Sequence, residues 1–397
     1  MFRLPSCLLL CVALLSFLPG CNTTRATQST SEQQYATASD SGVGDPELLK
    51  ILLGVRARTG VPAMSAAFVT SRGLVRVAAV GTRKAGTDVP VTLDDLWHLG
   101  SCDKAMTSTL VARLVEQGRL SWTTTVAEIF PDLADGFDPS ARSITILQLL
   151  SHAAGLQRNV DFDAISTSIP VRAQRIEAVK MGLRSKPLSV PGTTYLYSNI
   201  GYVIVGAIVE RVLDTDWEAA MTQYVFMRLS MSSAGFGGVG TPGEIDQPWG
   251  HEAADKPYPL NGPDADLPKV QRPAGSVHCS IQDWALFVAD QLRGSRGKQG
   301  LLKPQSYQML QTPHFGGNYA LGWGAFSNFW PAFGKMLEHA GSNNWYYAQV
   351  WFAPARDSAI LVCTNEGGGP GKPAISTPAV GEVVSKMISI IGRLKRT

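Results

Sequence analysis

Residues 96–117, LWHLGSCDKAMTSTLVARLVEQ, carry the reading of this chain. Met106, Leu110, Val111, Leu114 and Val115 recur at helical spacing and Gly118 is a natural stop, so residues 101–117 are expected to form a helix. Ser101-Cys102-Asp103-Lys104 opens it. Positions three apart on a helix share one face, about 5–6 Å apart at Cβ, so the Lys104 amine can reach the Ser101 hydroxyl. An unperturbed lysine, with a pKa of about 10.4, is protonated at pH 7. To act as a base it must fall by about three units, or about 4 kcal/mol, through desolvation and its neighbours. A helix N-terminus adds backbone N–H groups and a positive dipole end beside the hydroxyl. Spacing alone does not make the motif. Ser295-Arg296-Gly297-Lys298 repeats it in a Gly- and charge-rich loop without apolar periodicity, and is expected to be solvated surface.

Outward from this helix, apolar runs at 63–70 and 74–81 flank Ser71-Arg72-Gly73, a hairpin signal. Runs at 335–341, 345–353 and 359–364 read as strands, and 376–394 as a closing helix. Residues 46–58, 144–150 and 199–213 are helical, as is the stretch from Ser280-Ile281-Gln282-Asp283, a capping-box-like start, to about 292. Residues 236–271, rich in Gly, Pro and Asp, are irregular. Strands at both ends around a helical middle predict an α+β fold, an α/β sandwich. One central antiparallel sheet from both chain ends is flanked by helices, an α-rich lobe is inserted over roughly 105–290, and the site lies in the cleft between them.

Tyr197-Ser198-Asn199 is the second chemical element, following the Pro191-Gly192 turn and opening the apolar helix from Ile200. The phenol can relay protons to or from Ser101 or a leaving group. Asn199 can bond a substrate amide and orient Lys104. With these residues in place the chain resembles the β-lactamase and penicillin-binding serine hydrolases, in the class C-like branch with D-Ala-D-Ala carboxypeptidases and esterases. The resemblance runs from about 46 to 394. It rests on Gly100-Ser101-Cys102-Asp103-Lys104, on residues 144–156 (ITILQLLSHAAGL) and on Tyr197-Ser198-Asn199-Ile200-Gly201-Tyr202. Pro273-Ala274-Gly275-Ser276 and Leu321-Gly322-Trp323-Gly324 support it. It implies a β-lactamase/transpeptidase-like fold and an acyl-enzyme on Ser101. Lys104 and Tyr197 then share the general-base role, Tyr197 protonates the leaving group, and an oxyanion hole forms from the backbone N–H groups of Ser101 and Ser342. It implies no cofactor and no metal.

One motif departs. The family's β-lactamases carry Lys-Thr-Gly on the strand lining the site, and here His339-Ala340-Gly341 stands in that place. A lysine there is a cation facing a substrate carboxylate. Histidine, with an unperturbed pKa of about 6.5, is mostly neutral at pH 7 and binds a carboxylate less well. Substrate-binding roles are therefore expected for Asn199, His339, Gly341 and Ser342. Small esters or amides come first as substrates, and β-lactams or D-amino-acid peptides second. His152, at a helix-end turn, is expected to be structural. Trp97, Trp323 and Trp345 fit either the cleft or the core.

The N-terminus reads as an export signal. Arg3 precedes an apolar run over 8–18, too short to span a bilayer, and Leu18-Pro19-Gly20-Cys21 resembles a lipobox. Residues 1–20 are expected to be a lipoprotein signal, Cys21 a lipidated anchor, and 21–45 a flexible tether reaching roughly 25–30 Å. The hydrolase domain then covers 46–394. The protein is expected in the cell envelope, at an outer membrane and facing the periplasm if the host has one. Cys102, Cys279 and Cys363 remain and are expected to be buried thiols. The 35 Lys+Arg against 32 Asp+Glu leave a net charge of +3 with no basic stretch, which excludes a nucleic-acid partner. His251-Glu252-Ala253-Ala254-Asp255 misses the zinc-protease helix motif, so no metal partner is expected. A lipid-anchored binding module that has lost turnover is the alternative of a different class.

Overall fold

The computed structural model describes residues 42–394, apart from 328–329 and 331–332. The expected signal at 1–20, the expected anchor Cys21 and most of the expected tether lie outside the described residues. In chain order the strands are β1 (Gly42–Gly44), β2 (Ala63–Thr70), β3 (Gly73–Gly81), β4 (Leu96–His98), β5 (Gly235–Phe236), β6 (His251–Ala253), β7 (Lys256–Pro257), β8 (Val277–Ser280), β9 (Gly324–Phe326), β10 (Met336–Ser342), β11 (Tyr347–Ala353) and β12 (Ser358–Thr364). The helices are α1 (Pro46–Thr59), α2 (Lys104–Glu116), α3 (Val126–Ile129), α4 (Ile146–Leu150), α5 (Val171–Leu183), α6 (Asn199–Leu213), α7 (Trp217–Met221), α8 (Arg272–Gly275), α9 (Ile281–Ser295), α10 (Pro304–Leu310) and α11 (Ser376–Leu394).

The central sheet has the order β1-β3-β2-β12-β11-β10-β9 and is antiparallel throughout, as expected. β12 joins the two chain ends, with Leu361 opposite Ala67 on one side and Val350 on the other. Both faces of β2 and β12 are covered, which is why they read as continuous apolar runs rather than alternating ones. On one face α1 and α11 bury Leu52, Val55, Val380 and Val383 against Val362. On the other, Trp284, Phe287 and Val288 of α9 pack with Ala67, Val69 and Leu361. At roughly 1.5–3 kcal/mol for each large apolar side chain buried, these two layers are the main source of the sheet's stability.

Two boundaries differ from expectation. Residues 42–45, assigned to the tether, belong to the fold. β1 pairs with β3, and the Asp45 side chain accepts from Glu47 N and Leu48 N as the cap of α1. Gly44 sits so close to β3 that a Cβ would fall 2.2 Å from Val77 O, so this edge is made by an absent side chain and leaves no apolar pattern to read. The α-rich lobe also stops short of 290, because α9 lies on the sheet and belongs to the sandwich.

The lobe gathers α2 to α8 around the apolar α6, whose residues Ile200–Glu210 are all buried. Below it, β4, β8 and β5 form a small sheet that delivers the chain to residue 100. The 236–271 region is irregular except for the β6–β7 ribbon. His251 in that ribbon donates through Nδ1 to Asn365 O (2.7 Å) and accepts Ala85 N–H at Nε2 (3.0 Å), so it fastens two segments. Among the described residues no group of three His, Cys, Asp or Glu side chains is placed to hold a metal ion, and no helix is long and apolar enough to cross a membrane.

Candidate active site

The expected helix from residue 101 begins with a 3-10 turn, Gly100–Asp103, before α2 starts at Lys104. In a 3-10 turn residues i and i+3 eclipse, which stacks Lys104 over Ser101 more directly than an α-turn would. Gly100 takes φ +50°, and a Cβ on it would lie 2.3 Å from Ser342 N. Gly341 is as tight from the other side: a Cβ there would fall 2.1 Å from Leu99 O and 2.6 Å from Ser101 N. Two glycines therefore let the Ser101 turn press backbone to backbone against β10. Cys102 adds a fastening, its thiol donating to His339 O (3.3 Å).

Lys104 is fully buried. Its Nζ donates to Ser101 Oγ (3.0 Å), to Asn199 Oδ1 (2.9 Å) and to Ala274 O. Burial pulls its pKa down to about 7; Asp103 opposes the fall and Arg158 adds to it. The amine thus meets the condition set by the sequence: near neutral pH a large fraction is a free base beside the hydroxyl.

Tyr197 hydrogen-bonds Ser101, and its ring centroid lies 5.0 Å from Lys104 Nζ. Burial raises the phenol's pKa above its usual value, with Ser101 and Arg158 pulling the other way, so it stays protonated at neutral pH. His152, held at φ +56°, positions it. The imidazole Nδ1 accepts Ser198 N–H (3.1 Å), the backbone oxygen accepts Leu196 N–H (2.8 Å), and the ring packs 4.2 Å from that of Tyr197. Asn199 opens α6 behind the Ser198 cap, and its Nδ2 donates to Asn159 Oδ1 (2.9 Å), which fixes the amide with its oxygen toward Lys104. Of the two roles considered for Asn199, the contact with Lys104 is present.

On β10 the expected residues lie where the nucleophile turn meets the strand, but His339 differs from expectation. It is buried with both ring nitrogens engaged inside the protein. Nδ1 faces Ala340 O (2.7 Å), which can only accept, so the proton sits on Nδ1 and Nε2 accepts from Tyr319 Oη (2.9 Å). Burial, reinforced by Lys104, lowers its pKa to about 3. A neutral ring with no spare donor is not a substrate anchor. Ser342 is exposed and its Oγ accepts Asn344 N–H (2.9 Å).

The second Ser-x-x-Lys does not assemble. Ser295 Oγ donates to Gln291 O (2.8 Å) at the end of α9. Trp97 and Trp323 are core, and Trp345 is buried against Tyr258 at 4.0 Å. Cys102, Cys279 and Cys363 are free and buried, as expected.

Sequence reasoning missed three contributors. Asp103 accepts Ser276 N–H (2.7 Å) and Val277 N–H (3.3 Å), tying the turn to β8. His98 Nδ1 accepts Gly100 N–H (3.1 Å) while Nε2 lies 3.0 Å from the buried Asp266, which also takes Asn343 Nδ2 (3.0 Å). Arg158 lies beside Tyr197, with Cζ 5.0 Å from the ring centroid. The quoted run stops at Leu156, two residues short of it, and only the folded loop brings it to the site.

A family model described as Beta-lactamase matches residues 49–385. Penicillin-binding protein 4 of Amycolatopsis lactamdurans is 32% identical over 177 residues, 45% of this chain and 45% of that protein. Esterase EstB of Burkholderia gladioli is 33% identical over 174 residues, 41% of this chain and 43% of that protein. The chain thus spans about half the length of the curated relatives it matches. The crystal structure of a β-lactamase/D-alanine carboxypeptidase from Pseudomonas syringae superposes with a TM-score of 0.67 at 19% identity, covering 85% of this chain and 99% of that one.

Proposed function

The chain belongs to the β-lactamase family, and from that premise we propose that it is a serine acyl hydrolase that cleaves small esters or amides through an acyl-enzyme on Ser101. The observation that carries the reading is the buried Lys104 amine, 3.0 Å from Ser101 Oγ and held by Asn199 and Ala274. Neutral Lys104 takes the Ser101 proton as Oγ attacks the carbonyl carbon. The backbone N–H groups of Ser101 and Ser342 receive the developing oxyanion, a contribution of about 10²–10³ in rate for each donor in such sites. Tyr197, a protonated phenol bonded to Ser101, passes a proton to the departing group and takes in its place the proton that Lys104 received, which returns the lysine to its free-base form. Water, activated by the same lysine, then releases the acyl group.

Esters and amides are preferred over β-lactams because β10 offers His339, neutral and internally bonded, where a carboxylate anchor is needed. A relative named for penicillin binding and a neighbour named as a carboxypeptidase favour keeping the penicillin-recognising reading as second. Export with lipidation at Cys21 is part of the proposal and rests on residues 1–21. A Cys21→Ser variant that still partitions into detergent with the membrane fraction refutes it.

The test is covalent labelling read by intact mass. Wild type, Ser101→Ala and Ser295→Ala are each treated with a fluorophosphonate and with a penicillin. Labelling of wild type and Ser295→Ala by the fluorophosphonate alone supports the esterase. Labelling by both reagents supports the penicillin-recognising enzyme. Labelling by neither leaves a binding module, and equal loss in both variants refutes Ser101.

A further inference from the structure

β10, which carries the family's lysine, holds no cation here, yet a cation stands beside Tyr197 at the α6 side of the site. Arg158 lies between α4 and α5. Its backbone oxygen accepts Asn199 N–H (2.8 Å) and Ile200 N–H (3.3 Å), the first turn of α6, so its Cα is fixed relative to Tyr197 and Asn199. Its side chain is exposed, and its guanidinium lies 5.0 Å from the Tyr197 ring centroid, within cation–π range. Lys104 Nζ lies 5.0 Å from the same centroid, and the Tyr197 phenol bonds Ser101. A guanidinium stacked on a ring offers its face to the ring and keeps the N–H donors around its edge available. Among the described residues no carboxylate or carbonyl takes those donors. A permanent cation, positioned by a helix start, beside the proton-relaying phenol and without a protein anion, is an open anion receptor.

We propose that Arg158 is the anion-binding residue of this site and receives a carboxylate carried by the ester or amide substrate close to the scissile bond. This rests on the acyl-hydrolase reading above and names its substrate class: anionic acyl compounds recognised from the α6 side of the cleft rather than from β10. It also gives Arg158 a second effect. The groups facing Lys104 are Asp103 and Cys102 on its own turn, Tyr197 and Tyr202 at and within α6, His152 after α4, His339 on β10, and Arg158. Of these the Arg158 guanidinium lowers the pKa of Lys104, so it favours the free-base form of the lysine until a substrate anion offsets it.

The experiment compares three esters: neutral 4-nitrophenyl acetate, 4-nitrophenyl hemisuccinate with its acid on the acyl side, and 4-acetoxybenzoate with its acid on the leaving group. Their kcat/KM values are measured for wild type, Arg158→Ala and Arg158→Lys at low and high salt. In Arg158→Ala the ratio of an acid ester to the neutral ester falls about tenfold or more. Arg158→Lys recovers part of it, and salt erodes the wild-type preference because the guanidinium is exposed. The ester that loses its preference identifies the side on which the carboxylate sits. With the neutral ester, the acid limb of the Arg158→Ala profile moves up by roughly 0.3 pH units. Ligand-observed NMR with the Ser101→Ala protein reads the same preference as binding, without turnover. Acid-to-neutral ratios within twofold of wild type for both acid esters, in turnover and in binding, overturn the proposal. Hydrolysis that survives Ser101→Ala overturns the acyl-enzyme reading instead and leaves the binding comparison to decide on Arg158.

Discussion

Replacing Gly341 with alanine tests the contact on which the proposed oxyanion hole depends. The added methyl would stand 2.1 Å from Leu99 O, 2.6 Å from Ser101 N and 2.8 Å from Cys102 N, all of them backbone. Ordinary contact begins at 3.4 Å, so β10 and the nucleophile turn must part by about 1.3 Å. Neither can yield cheaply. β10 is paired with β11 through Ser342, with Gly341 opposite Ala348, and the turn is held by Gly100 N–H on His98 and by Asp103 on β8. The separation therefore opens between Ser101 N and Ser342 N. A misplacement of about 1 Å costs on the order of 10²-fold in rate, and losing one oxyanion donor costs about 10²–10³. We expect kcat to fall by about 10²–10³, with a stability loss of about 1–3 kcal/mol from overpacking. The assay is kcat on 4-nitrophenyl acetate beside a urea unfolding curve. Gly381→Ala on α11 is the control, because nothing lies within 4 Å of its added methyl. It should keep kcat and gain about 0.5–1 kcal/mol. A Gly341→Ala protein that stays folded with kcat within threefold of wild type would falsify the argument.

Three further expectations follow from the same geometry. Because Lys104 is lowered to about 7 in the folded protein from 10.5, the unfolded chain binds the extra proton between those values. Its ionisation therefore makes wild type gain stability as pH rises from 7 toward 10 and lose it as pH falls through 7. Lys104→Met lacks that slope and about 10²–10⁴ of the rate, and urea midpoints at pH 7.5 and 9.5 that move in parallel for the two proteins would contradict this. The raised pKa of Tyr197 predicts a kcat/KM profile rising through about pH 7 with no alkaline limb below pH 10, and Tyr197→Phe should cut kcat at least tenfold. Asp266→Ala removes the buried acceptor of Asn343 and the partner of His98, so it should cost about 3 kcal/mol in urea unfolding. It should also lower kcat more than it raises KM; unchanged kcat in the folded variant would show that the Gly100 N–H needs no such support.

The proposed catalytic pair is legible in the sequence because its geometry is local. Ser101 and Lys104 are three residues apart, and the turn between them is set by their own backbone. The sheet was legible where burial on both faces writes continuous apolar runs, as in β2 and β12. It was not legible at β1, whose pairing uses glycines that make room by having no side chain. The site's supporting cast was hidden for a different reason. His98 meets Asp266 across 168 positions of sequence, and Tyr319 reaches His339 from an irregular segment. Both contacts are tertiary, and neither residue type advertises its partner. His339 shows the cost: the motif places it on β10, and histidine chemistry accounts for its neutrality. Its unavailability to substrate follows from Tyr319 and Ala340 O. The side chain of a His339→Lys variant would enter a buried space beside Lys104, so that substitution does not simply add carboxylate binding.

The pairing of β2 with β12 also sets a schedule. Met64 lies opposite Thr364, so the hairpin made first waits for some three hundred residues before its neighbour exists. Such distant pairing is slow to find, and it makes the candidate active site one of the last features to form. Ser342, the proposed second oxyanion donor, arrives on β10 only shortly before β12, long after Ser101, Lys104 and Tyr197 have been synthesised. A chain cut short anywhere in between carries every side chain of the proposed mechanism but lacks the second proposed oxyanion donor. Incomplete copies of this protein are therefore expected to be silent as catalysts, and their unpaired β2 edge makes them candidates for aggregation.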